Sequence, residues 1–199
     1  MNSGQKVIIG MGLLGIALLG GYELARRAAT PRGVDKIEDR SSEAQGFDQI
    51  LHFGGDRYRV RNGPEGNAPV GQIVVSKLGE GETDAVRVER SRLGEIGGVY
   101  LLELVAGGTP WVIATILPPD DQSPTQGLVF RLEGEEWVNS TLQPLPPEMQ
   151  ARFRGDVEFV QQGAFLYRKI LVADRDELKP PFERKMFYDF QNERWEIAK

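Results

Sequence analysis

The sequence predicts an all-β soluble domain, an antiparallel meander built as a barrel or a sandwich, behind one N-terminal transmembrane helix. Three observations carry this. The 24 Gly and 12 Pro of the 199 residues fall between short apolar runs, as turns between strands require. Four segments read as hairpins whose apolar residues face each other. Residues 7–22, VIIGMGLLGIALLGGY, hold no charge.

That first segment is the anchor. As a helix it spans about 24 Å against a hydrocarbon core of roughly 30 Å, and Lys6, Arg26, Arg27 and Tyr22 stand where snorkelling and interfacial side chains make up the difference. A cleaved signal peptide needs small residues one and three positions before the cut. Ala25 fails because of Glu23, and Ala29 because of Arg27, so the helix is expected to remain as a signal anchor. Arg26, Arg27, Arg32 and Lys36 outweigh the lone Lys6, which favours a cytoplasmic over an exported domain. Ala17, Gly21 and Ala25 recur every four residues and form a candidate helix-packing face.

The anchor and its basic flank occupy residues 1–29. Residues 30–46, TPRGVDKIEDRSSEAQG, are too polar to bury area and read as a flexible tether. The β-rich domain then runs over residues 47–199. Gly107-Gly108 as a two-residue loop sets Leu104 opposite Trp111, and Gly134-Glu135 sets Leu132 opposite Trp137. Gln162-Gly163 pairs Val160 with Phe165, and Asn192-Glu193 pairs Phe190 with Trp195. Earlier strands are expected at residues 58–61, 72–77 and 85–89, for eight to eleven strands in all. The segments LVFRLEGEEW and MFYDFQNERW look alike, but the uneven spacing of Trp111, Trp137 and Trp195 argues against a fixed-period repeat.

Composition excludes whole classes of chemistry. Without cysteine there is no disulfide, thiol nucleophile or thiolate metal site. A net charge of −5 argues against a nucleic-acid partner bound by bulk positive charge. His52 is the single histidine and has no nucleophile motif beside it. The acidic groups at Asp120-Asp121 and at Asp174, Asp176 and Glu177 lack calcium-loop spacing and read as solvated turn charge. The diproline positions Pro118, Pro146 and Pro180 read as rigid connectors.

The sharpest feature is DRYRVRN at residues 56–62. As a strand it sets Arg57, Arg59 and Arg61 on one face and Tyr58 and Val60 on the other. Three guanidinium groups in a row suit a phosphate or an acidic partner, and Arg87, Arg90 and Arg92 extend the surface. The alternative is a solvated strand face paired with carboxylates. The expected function is therefore a non-enzymatic, membrane-anchored interaction or assembly protein. It touches lipid through its helix, a protein partner or subunit through its domain and anionic lipid through the arginines, with no cofactor and no nucleic acid. A carrier or sensor of a small hydrophobic ligand in a β-barrel cavity is the alternative, and a hydrolase built on His52 a more distant one.

Overall fold

The computed structural model describes residues 34–120, 123–176 and 178–198. The predicted anchor, with Ala17, Gly21 and Ala25, lies outside them, as do Asp121 and Glu177. Among the described residues no helix is long and apolar enough to cross a membrane.

The chain forms three antiparallel sheets in succession. The first holds β1 (Lys36–Asp39), β2 (Asp48–Phe53), β3 (Asp56–Asn62), β4 (Val70–Leu78) and β5 (Asp84–Leu93). The second holds β6 (Glu95–Leu102), β7 (Trp111–Leu117), β8 (Gln126–Glu133) and β9 (Glu136–Thr141). A short helix, α1 (Pro147–Gln150), leads to the third, made of β10 (Phe153–Gln162), β11 (Phe165–Val172), β12 (Phe182–Asp189) and β13 (Arg194–Ile197). In every sheet the spatial order equals the chain order, so each is an open meander and none pairs its last strand with its first. The all-β meander is as expected; its form is three open sheets and not one closed barrel.

Strand β1 is a departure from the tether reading. Lys36–Asp39 pairs antiparallel with β2, Ile37 opposite Leu51, as a short charged edge. Such an edge discourages pairing with other chains.

Two cores lie on opposite faces of the second sheet. Leu51, Tyr58, Val60, Ile73 and Val75 of the first sheet meet Val99, Leu101, Val112, Ala114 and Phe130 of the second. On its other face Leu102, Ile113 and Val129 meet Leu166, Ile170, Met186, Tyr188 and Trp195 of the third. The second sheet is thus a covered middle layer, which explains why WVIATIL in β7 is apolar but for Thr115: from Val112 to Ile116 both alternating sets of side chains are buried.

The hairpins test the sequence reading in detail. Leu132 does stand opposite Trp137, across a Gly134-Glu135 loop with Gly134 at φ 66. In the other three the register differs by two residues: Leu102 opposite Trp111, Gln162 opposite Phe165, and Tyr188 opposite Trp195. Two residues is one full side-chain period, so the facing sides are preserved. Where the loops lengthened, local chemistry explains it. Pro110 has no N–H to offer a ladder, and the Asp189 carboxylate accepts from the N–H groups of Gln191 and Asn192 at 2.9 and 3.2 Å.

Four small devices join the sheets. Gly94 alone carries the chain from β5 to β6, at φ +118, where an added Cβ would sit 1.9 Å from the Leu117 carbonyl oxygen. Trp137, on the last strand of the second sheet, donates its indole N–H to Val86 O on the last strand of the first, at 3.1 Å. Trp195, on the last strand of the third, donates in the same way to Gln143 O, two residues beyond the last strand of the second, at 3.0 Å. The two look-alike segments are therefore the third-to-fourth-strand hairpins of consecutive sheets. Finally, the Gln161 side chain donates to Leu101 O at 2.7 Å and accepts from Leu101 N at 3.3 Å. It thereby fills the place of a neighbouring strand on edge strand β6.

Candidate interaction surface

Alternation along β3 lays out the arginine stripe as read: Tyr58 and Val60 are fully buried while Arg57, Arg59 and Arg61 lie on the opposite face, half-buried. Each has a carboxylate. Arg59 grips Asp48 with Nε and Nη2 at 2.8 and 2.5 Å, and the Asp48 side chain is only 7% exposed. Arg57 donates to Gly79 O at 3.1 Å and lies 3.5 Å from Glu82, and Arg61 lies 3.7 Å from Asp84. Ile50 and Val74 share this face by register and are buried, so the arginine stems also cover apolar surface. Hydrogen bonding to Asp48 is the main cause holding the Arg59 pKa above its ordinary value.

The proposed extension of the stripe is corrected by the same alternation. Arg87 stands opposite Ser76 on the stripe's face and pairs with Glu89. Arg90 and Arg92, of the other parity, point away. Arg90 donates to Asn139 Oδ1 and Ser140 O at 2.9 and 2.7 Å, tying β5 to β9. Arg92 is buried and holds the loop before β4, donating to Ala68 O at 3.0 Å, Gly66 O at 2.6 Å and Asn62 Oδ1 at 2.9 Å. Desolvation lowers its pKa from the ordinary value.

His52 sits on β2 beside the stripe. Its Nε2 lies 2.8 Å from Glu38 Oε1, while Lys36 at 2.9 Å and Arg40 at 3.1 Å bind the same carboxylate. Hydrogen bonds from Lys36 first, then Arg40 and His52, hold Glu38 down to about 2 from its ordinary 4.5. Arg40 also bridges to Glu82 at 2.7 and 2.9 Å. The arrangement is an ion-pair lattice across β1, β2 and the turn before β5. The acidic turn residues cap main chain: Asp120 accepts from Ser123 N at 2.6 Å, Asp174 from Asp176 N at 2.9 Å.

A second surface was not read from the sequence. On the outer face of the third sheet, Phe165, Tyr167 and Phe187 form a mutual cluster with centroids 6.2 to 6.5 Å apart. Tyr167 and Phe187 are direct cross-strand partners, and Lys185 Nζ lies 4.1 Å from the Tyr167 ring centroid. Phe165 is 53% exposed, and none of the three rings belongs to either core. The available signal was parity: in FLYRKILV, Phe165 and Tyr167 alternate with the inward Leu166, Ile170 and Val172.

No protein-family model, curated protein or solved structure matches this chain. The first-sheet face is a nearly neutral lattice whose arginines already hold carboxylates. The third-sheet face offers aromatic area with a cation at its edge, the composition of an interface hot spot.

Proposed function

We propose that this chain is a non-enzymatic, membrane-anchored interaction or assembly protein whose N-terminal helix holds the three-sheet domain near a membrane. The observation that carries the interaction reading is the outward-facing cluster of exposed Phe165 with half-buried Tyr167 and Phe187. Aromatic rings lose little side-chain entropy on docking and bring a large apolar area, so a clustered trio flanked by Lys185 favours a protein partner whose matching surface is apolar with an acidic rim. The anchor rests on the uncharged residues 7–22 and their basic flank. Anionic lipid contact by Arg57, Arg59 and Arg61 is a weaker part of the reading, because those groups would have to give up Glu82, Asp48 and Asp84.

The test is site-specific photo-crosslinking of the full chain in its native membrane, with the reactive side chain at position 165. The expectation is one discrete adduct that disappears in Tyr167→Ser/Phe187→Ser, while a reactive group at the exposed Leu178 does not form it. An adduct unaffected by those changes, or none, removes this surface. Protease accessibility in sealed vesicles, with a tag after Lys199, tests the topology: protection in right-side-out vesicles and cleavage in inverted ones is the cytoplasmic outcome.

A further inference from the structure

The part of the domain that neither surface uses is a cleft of about 430 Å³ where the second and third sheets meet, lined by Phe159, Arg168, Trp195, Leu142 and Gln143 among others. Its volume lies within the range of small-molecule sites, about 300–1,000 Å³. Arg168 occupies an inward position of β11 between Leu166 and Ile170, and its side chain is 3% exposed. Asp156 compensates the charge along one edge, taking Nε at 2.6 Å and Nη2 at 2.9 Å, and itself accepts Thr125 N–H at 2.8 Å. The rings of Phe159, Trp195 and Phe153 lie 5.0, 5.6 and 6.0 Å from the guanidinium carbon and fix its position. The Asp156 grip leaves Nη1 outside the bidentate pair.

Another part of the wall is also preformed. Gln143 donates its N–H to Tyr188 Oη at 3.2 Å and accepts Trp195 Nε1 on its carbonyl at 3.0 Å, so the backbone there is tied on both sides. A rigid, deeply buried donor beside aromatic and aliphatic walls is how orienting polar groups are arranged in ligand pockets.

We propose that this cleft binds a small molecule carrying a neutral carbonyl oxygen on an apolar body, with Arg168 Nη1 donating to that oxygen and Phe159, Trp195 and Leu142 packing against the body. The neutrality follows from Asp156. The guanidinium is already paired with one carboxylate, so a second would leave an uncompensated negative charge against a largely buried ion pair, whereas a carbonyl takes the charge-assisted bond without that cost. This site is separate from the aromatic face of the third sheet and does not depend on it.

The experiment uses the full chain in lipid nanodiscs, with 5-fluorotryptophan reporting at Trp195 and two matched probes, 3-phenylpropionamide and 3-phenylpropionate. The amide is expected to shift the Trp195 signal saturably, and the acid to bind at least about tenfold more weakly. Two variants locate the site. Gln150→Phe places a ring at an exposed position of the lining and is expected to weaken the amide at least about fivefold by filling the cleft. Asp156→Leu/Arg168→Met removes the pair together, so no buried charge is orphaned, and is expected to weaken it by about tenfold or more. Absence of a saturable shift up to about 10 mM, a preference for the acid, or unchanged affinity in either variant overturns the proposal.

Discussion

Arg59 and its neighbours share one face, yet their environments separate them sharply. Asp48 is almost wholly buried and is gripped through both oxygens by Arg59, so Arg59→Glu removes that bidentate partner and sets a second carboxylate beside it, and is expected to cost about 3–5 kcal/mol in urea denaturation. Arg57→Gln/Arg61→Gln touches longer, half-exposed pairs and is expected to stay within about 1 kcal/mol. Binding tests on the stripe should therefore use the second variant. Glu38 makes a pH prediction. Its carboxyl is held at about 2 in the folded chain against 4.5 ordinarily, so the stabilisation it gives is full above 4.5 and is lost as pH falls towards 2. Glu82, held low chiefly by its hydrogen bond with Arg40, acts in the same direction. Glu38→Gln is expected to shrink the drop in urea midpoint between about pH 5 and pH 3. Residues 56–62 displayed the stripe because period-two alternation needs only neighbours. Arg168 and Asp156 were invisible as a pair, since two register shifts in β10 decide what faces Arg168, and a sequence does not announce bulges.

Elements were legible in proportion to how locally they are determined. Glycine at the first loop position fixed the Gly134 hairpin, and there the register came out residue for residue. The other hairpins kept their faces, but the loop of one moved on by a residue to 163–164 and two loops grew, because facing depends on parity and loop length on details such as Pro110 and the Asp189 cap. Strand β1 escaped notice because KIED offers one apolar residue, and its pairing is supplied by β2. Gly94 shows an element boundary at its tightest. Gly94→Ala brings a Cβ to 1.9 Å from Leu117 O at φ +118 and is expected to cost about 3 kcal/mol or more, whereas Gly134→Ala, with nothing within 4 Å of the new atom, is expected to cost about 1 kcal/mol for its φ of +66. Chemical denaturation of the two variants side by side separates steric conflict from backbone preference.

At the scale of the whole molecule, the same indole-to-carbonyl bond recurs at successive sheet junctions, Trp137 to Val86 and Trp195 to Gln143. Uneven tryptophan spacing hid this recurrence, because Trp111 belongs to β7, the second strand of its sheet, and only Trp137 and Trp195 lie on last strands. Trp137→Phe and Trp195→Phe are each expected to cost about 1–2 kcal/mol, and because the two bonds share no partner the double variant should come within about 0.5 kcal/mol of their sum. Hydrogen exchange should then rise first in β10 to β13 for Trp195→Phe and not in β2 to β4. The middle layer carries a further consequence for how the chain is made. Because the order of the sheets follows the order of synthesis, β6 to β9 leaves the ribosome when its first cover already exists and its second has yet to be translated. From then until Trp195 has been added, the nascent chain presents Leu102, Ile113 and Val129 uncovered, so a stall or nonsense codon in that interval yields a product that adheres to chaperones or to its own kind.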